Sequence, residues 1–223
     1  MIKMVVFDMA GTTVNEHNVV YKTLHKAIQN AGYTVSYQQV LTEGAGKEKL
    51  QAIQDIMAKF YPDAAPAVIT AIFEQFKTLL NNAYQTLQVT PHRGAEQVFA
   101  WLKKHQILVV LNTGYSQPVA QLLLQKLGWK EGIQYDALIT ASQVTNGRPM
   151  PDMINLAKAQ FGIESAACIA KIGDSTVDIE EGINAGCGLN IGITTGAHTH
   201  EQLLQANPHF VIDNLLNLPA LLQ

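Results

Sequence analysis

Cysteine is almost missing from this chain. Its two residues of that type, Cys168 and Cys187, are too few for a disulfide framework and too far apart for a metal knuckle, so they read as inert core thiols. Charge is also scarce, at 15% Asp, Glu, Lys and Arg against the usual ~25%, which excludes a disordered chain or a salt-bridge-laced coiled coil. There is no Lys/Arg run, and a net charge of −3 provides no basic face for nucleic acid. No apolar stretch approaches the roughly 18–20 residues of a membrane helix. The carboxylate of Asp8 interrupts the N-terminal apolar run too early for a signal peptide. These absences imply a reduced, cytoplasmic protein that engages neither nucleic acid nor membrane. What is present is a 48% hydrophobic chain of 223 residues, enough for one large domain or a core carrying a smaller second unit.

Short apolar runs ending abruptly in polar residues or glycine recur at 4–7, 107–111, 137–139, 168–172, 189–193 and 210–212. Runs so short and nearly continuous predict strands buried on both faces, the pattern of a parallel sheet. Amphipathic segments of helical length lie between most of them, at 94–105, 118–127, 151–161, 178–185 and 201–205. Strand alternating with helix predicts right-handed crossovers and a doubly wound, Rossmann-like α/β sheet.

One interval departs from that alternation. From Val14 to about Gln88 the sequence shows only helical periodicity, with helices expected over 19–30, 47–60 and 65–88 and breaks at Gly32, Gly44, Gly46 and Pro62. The expected organisation is therefore a core of residues 1–14 and 89–223 with an inserted all-helical cap over 15–88, hinged near 13–16 and 89–93.

Ligands of open α/β sheets bind at the carboxyl ends of the strands, where Asp8, Thr113, Asp174 and Thr194 fall. A lone Asp at such a place is ordinarily a turn or cap residue; several polar groups converging there indicate a site. Gly173-Asp174-Ser175-Thr176-Val177-Asp178 sets two carboxylates four apart at a strand-to-helix turn. Like charges at that spacing repel, so a cation is expected beside them, and Mg²⁺, a hard ion preferring oxygen ligands, is the natural one. The alternative is an ordinary helix N-terminus with acidic first-turn residues. His198 and His200 form a His-x-His pair with no third ligand nearby in sequence, and Phe99, Trp101 and Trp129 read as packing residues.

Asp8-Met9-Ala10-Gly11-Thr12-Thr13, Asn112-Thr113-Gly114-Tyr115, Gly147-Arg148-Pro149 and the Asp174/Asp178 element occur in the order of the four motifs of the haloacid dehalogenase-like hydrolases, and the chain resembles that superfamily along essentially its whole length. The resemblance implies Asp8 as nucleophile and phosphoryl acceptor. It implies Mg²⁺ held by Asp8, the carbonyl of Ala10 and Asp174, with Asp178 acting through water. It implies Thr113, Gly114, Gly11 and Arg148 as phosphate-binding groups, the planar guanidinium suiting phosphate better than an ammonium would.

Most phosphatases of the superfamily carry a second aspartate two residues after the nucleophile; this chain has Ala10. Loss of a positioned general acid costs about 10²–10⁴ in rate, so either the leaving group needs little protonation, or another residue supplies the proton, or activity is weak. Ala10 with the adjoining Gly-Thr-Thr, and the Asn-Thr-Gly-Tyr and Gly-Arg-Pro elements, is similar to the phosphonoacetaldehyde hydrolase branch, where a cap lysine forms an imine that serves as electron sink for C–P cleavage. Gly46-Lys47-Glu48-Lys49 matches the lysine position, with Lys49 as the candidate and Lys47 as the competing register. The chain departs from the branch at Ala45, where the family has Met, and at Ala52, where it has His. The expected substrate is thus a small phosphonate or phosphate ester, possible rivals being a small-molecule phosphomonoesterase, a hexose-phosphate mutase, which Ala10 opposes, and a non-catalytic phosphate sensor. Sequence leaves monomer and homodimer both open.

Overall fold

The computed structural model describes residues 1–222. In chain order the described strands are β1 (Met4–Asp8), β2 (Val14–Asn15), β3 (Thr90–Pro91), β4 (Leu108–Thr113), β5 (Ala137–Thr140), β6 (Ile169–Gly173), β7 (Leu189–Ile193) and β8 (Phe210–Ile212). Six of them form one parallel sheet in the spatial order β5-β4-β1-β6-β7-β8. The helices are α1 (Val19–Asn30), α2 (Tyr37–Gly44), α3 (Lys49–Phe60), α4 (Pro66–Thr86), α5 (Ala95–Lys104), α6 (Gln117–Leu127), α7 (Asp152–Gln160), α8 (Thr176–Asn184), α9 (His200–Leu204) and α10 (Leu218–Leu221).

β1 runs through the middle of the sheet between β4 and β6. Successive side chains of a strand point to opposite faces, so Val5 and Phe7 join Val109, Leu111 and Phe99 on one side, while Met4 and Val6 join Val110, Ile139 and Met153 on the other. A strand covered on both sides must be apolar at every position, which is why the sequence shows runs here and not alternation. From β1 the chain turns to β4, and from β6 it turns the other way to β7. The crevice between the carboxyl ends of β1 and β6 is therefore the topological switch point of the sheet.

α1 to α4 pack on one another as the helical insert expected between the first and second long strands. Four details differ from the sequence reading. The joints are not free of strand: β2 and β3 pair antiparallel, Val14 with Pro91 and Asn15 with Thr90, tying entry and exit of the insert into a short ribbon. Helix α2 lies in a stretch where periodicity predicted none; it is short and largely polar, and its signal is the Ser36/Gln39 capping box, each side chain serving the other residue's backbone N–H. Helix α3 begins at Lys49 and not at Lys47, because the Glu48 carboxylate accepts the Gln51 N–H at 3.0 Å and caps it. Likewise α8 starts at Thr176, ahead of the expected Asp178, with Ser175 as its capping residue.

The aromatic residues pack as expected. Phe99 meets Phe7 and Trp129 edge-on, each at 5.2 Å between centroids, and Trp101 stacks on His105 at 4.0 Å. Both cysteines are free, but only Cys187 is buried, and burial pushes its thiol up to about 12; Cys168 is half-buried in the turn just before β6 and not in the core.

Candidate active site

Asp8 ends β1 and Asp174 follows β6, so the two centre strands deliver them to the switch point. Asp178 arrives from the first turn of α8, where Ser175 holds its Oδ2 by a hydroxyl bond of 2.5 Å. One carboxylate oxygen from each of the three residues lies within 4.8 Å of the other two, and all three residues are buried. Gly11 makes this approach possible: it sits at φ +85°, and a Cβ there would run into the Asp174 carboxylate. Asp174 is further fixed by the Ala197 N–H, which donates to its Oδ2 at 2.6 Å.

Arg148 reaches in from the loop before α7. Its Nη1 lies 2.7 Å from Asp8 Oδ1 and 2.8 Å from Asp178 Oδ1, its Nε donates to Glu181 Oε2 at 2.9 Å, and its Nη2 donates to the Asn112 carbonyl at 2.8 Å. Lys171, from the middle of β6, lies 3.0 Å from both Asp178 Oδ1 and Glu181 Oε2 and donates to Asn112 Oδ1 at 2.9 Å. Asn112 completes the net by donating to Glu181 Oε1 at 2.9 Å.

Sequence reading missed Lys171 and Glu181, and named Asn112 only as a member of the Thr113 motif. A signal for the first existed: a lysine inside a strand buried on both faces is almost never left unpaired, and Lys171 interrupts just such a run. Glu181, three residues after Asp178 on the same helix, shares its face by helical spacing.

Four buried carboxylates thus face two buried cations, leaving two negative charges uncompensated. The titration behaviour follows. Burial, then the Asp178 charge, raises Asp8 to about 6, and burial, then Asp8, raises Asp174 well above the carboxylate range. Burial would raise Asp178 too, but Arg148 and Lys171 outweigh it and hold it low. The same carboxylates outweigh the burial of Arg148 and keep it charged. Asp178 Oδ1 lies 2.8 Å from Arg148 Nη1 and 3.0 Å from Lys171 Nζ, so both cations face this one oxygen. An all-oxygen donor set and an excess of two negative charges fit a divalent metal ion.

Thr113 and Gly114 close β4 beside Asp8. Gly114 packs against the Gly46 and Lys47 carbonyls, about 3.0 Å from where a Cβ would stand, so the insert and the sheet meet here. Of the two lysine registers, only Lys49 is buried toward this seam. Its Nζ lies 5.3 Å from the Tyr21 ring and 5.7 Å from the Tyr115 ring, donates to the Lys47 carbonyl and feels the Asp8 charge. Lys47 is instead paired with Asp55 at 2.5 Å beside an outer cleft of about 660 Å³, which reaches Arg148. His198 and His200 do not form a metal pair: His198 is buried, with Nδ1 accepting from the Thr176 N–H and Nε2 facing the Leu41 carbonyl. Among the described residues, the aspartate triad is the one cluster of His, Cys, Asp or Glu placed to share an ion.

A doubly wound sheet with this acidic, cation-braced crevice defines a hydrolase of the haloacid dehalogenase type, and the profile of the haloacid dehalogenase-like hydrolase family matches residues 2–186. The chain belongs to that family. Within it, the chain is similar to phosphonoacetaldehyde hydrolases: it is 28% identical to the Latilactobacillus sakei enzyme, over 99% of this chain and 95% of the relative. A probable phosphatase, IndB of Dickeya dadantii, is 27% identical over 96% of this chain and 90% of its own. The fold superposes on a phosphonoacetaldehyde hydrolase like protein from Oleispira antarctica with a TM-score of 0.83 and 20% identity, over 99% of this chain and 91% of that one. No helix is long and apolar enough to cross a membrane among the described residues.

Proposed function

We propose that this protein is a Mg²⁺-dependent phosphonatase-like hydrolase that transfers the phosphoryl group of a small phosphonate or phosphate ester to Asp8. The observation that carries this reading is the meeting of two sets of groups at one buried seam: the acidic triad with Arg148 from the sheet, and Lys49 from the helical insert. Asp8, the Ala10 carbonyl and Asp174 would hold the metal directly and Asp178 through water. The ion would supply the positive charge that lets an anionic carboxylate approach an anionic phosphoryl group. Asp8 attacks phosphorus, Arg148 neutralises the charge that develops on the phosphoryl oxygens, and Thr113 with the Gly114 amide orients them. Residues 15–88 act as the cap and residues 1–14 and 89–223 as the core. Asp8 is buried with the insert seated as it is, so substrate entry requires the cap to lift.

Lys49 fits the electron-sink role because burial, the largest influence on it, lowers its ammonium to about 8 despite nearby carboxylates. At pH 7 about a tenth of it is then the neutral amine, against roughly 1 in 3,000 for an ordinary lysine near 10.5. That amine adds to a substrate aldehyde and water leaves. The electrons of the breaking C–P bond then pass into the resulting imine as PO₃ moves to Asp8, and Ala10 needs to protonate nothing. Incubation with phosphonoacetaldehyde and borohydride is expected to leave a mass adduct on Lys49, trapped about fivefold faster at pH 8 than at pH 7. No adduct, with turnover of ordinary phosphate monoesters unaffected by Lys49→Ala, would replace this with the phosphomonoesterase reading, which Ala52 favours because no imidazole stands one turn from the lysine. The shifted lysine also has a stability consequence. Its folded value lies below the unfolded one, so the unfolded chain binds more protons between pH 8 and 10.5, and stability contributed by this group rises with pH across that window.

Metal dependence is checked separately. Chelation with EDTA is expected to abolish phosphate release, and Mg²⁺ at a hundredfold its dissociation constant should stabilise the fold by about 2.7 kcal/mol in urea titrations. Mg²⁺ that shifts neither activity nor unfolding midpoint would reject the metal site.

A further inference from the structure

One buried carboxylate has no part in the chemistry above. Glu16, between β2 and α1 at the joint of sheet and insert, is 1% exposed. Its Oε2 accepts the Val20 N–H at 3.3 Å and so caps α1. Its Oε1 is buried and has no hydrogen-bond partner. A carboxylate oxygen left that way is costly, and such an oxygen in a native fold points to a ligand group that completes it.

Two neighbours are unfinished in the same manner. The hydroxyls of Tyr84, on α4, and Tyr115, after β4, are buried without partners; they lie close to one another but outside hydrogen-bond geometry. The Glu16 charge acts on both phenols and on Lys49, so the four groups share one neighbourhood. Tyr115 directly follows the Thr113-Gly114 phosphate turn, so this neighbourhood adjoins the place where the organic part of a substrate would lie. A cavity of about 270 Å³ between α4 and α6 is lined by Lys49, Gly114 and Tyr115, so Tyr115 is the member of the trio that borders it, with Glu16 and Tyr84 outside its lining. At ~30 Å³ per water-sized group, it has room for several heavy atoms beyond a phosphoryl group.

We propose that Glu16, Tyr84 and Tyr115 form a recognition subsite for a hydroxyl group on the organic portion of the substrate, so that the compound hydrolysed is a hydroxylated phosphonate or phosphate. A hydroxyl donates to Glu16 Oε1 and accepts from a tyrosine, satisfying groups of both polarities. An ammonium would meet the Lys49 cation already facing Glu16, and an apolar group would leave all three oxygens unpaired. This inference rests on Asp8 being the phosphoryl acceptor.

The test compares two matched pairs by kcat/KM: 2-oxoalkylphosphonates with and without a hydroxyl on the carbon beyond the carbonyl, and phosphate monoesters differing in the same way. A site built to hydrogen-bond a hydroxyl discriminates strongly against the analogue lacking it; the wild-type enzyme is expected to favour the hydroxylated member of the pair it cleaves by about 10²-fold or more. In Glu16→Ala that ratio falls to near one. In Tyr84→Phe, which leaves the α1 cap intact, it falls about tenfold. A purely structural role for Glu16 would slow both members equally and keep the ratio, which overturns the subsite. Equal turnover of both members by the wild type also overturns it, while leaving the hydrolase reading standing. Failure of the wild type on both pairs and on acetyl phosphate, with Mg²⁺ present, would overturn the hydrolase reading and this inference with it.

Discussion

Asp8→Asn is expected to stay folded and to lose phosphate release by about 10⁴–10⁶-fold, the range seen when a nucleophile is removed from an otherwise intact site. The substitution keeps the shape of the side chain and the Arg148 contact to its Oδ1, while removing the charge that attacks phosphorus. Folding should tolerate it, because Asp8 is raised to about 6 by burial and then by Asp178, so its ionised form is disfavoured in the metal-free fold. Circular dichroism and the urea midpoint measured beside the rate separate lost chemistry from lost structure. A variant retaining more than about 1% of the wild-type rate would show that some other group accepts the phosphoryl.

Lys171→Met should produce the largest loss of stability of any single change at the site, about 3–5 kcal/mol by urea titration with the slope unchanged. Lys171 is fully buried, and its three partners, Asp178, Glu181 and Asn112, are buried with it. Removing the ammonium leaves those oxygens facing a methyl group with no water to replace it, and Arg148 alone against the remaining carboxylates. Glu181→Gln added to Lys171→Met should recover part of the loss, since it deletes one of the charges left unpaired. A loss below about 1 kcal/mol would mean that solvent reaches the network.

The three clustered aspartates and Arg148 stand in the sequence beside turn residues, most of them at the ends of apolar runs, and a sheet buried on both faces makes such endings conspicuous. Lys171 lies within a run itself, where polarity reads as noise until the partner across the sheet is known. The lysine register shows the same division. Lys47 and Lys49 are two residues apart and chemically identical, and what separates them is that Glu48 caps α3, so that Lys49 opens the helix facing the Tyr21 and Tyr115 rings while Lys47 pairs outward with Asp55. Glu16 carried no motif at all, and its unpaired oxygen exists only because the insert folds over it.

Local chemistry by itself determined the parallel sheet, the helical insert after its first strand, and the residue types available for phosphoryl transfer, because periodicity and turn composition are properties of neighbours along the chain. Which of those residues share a space, which ion pairs balance the aspartates, and which carboxylate is left without a partner were decided by tertiary structure, because desolvation and Coulomb interaction depend on distances between segments far apart in the chain.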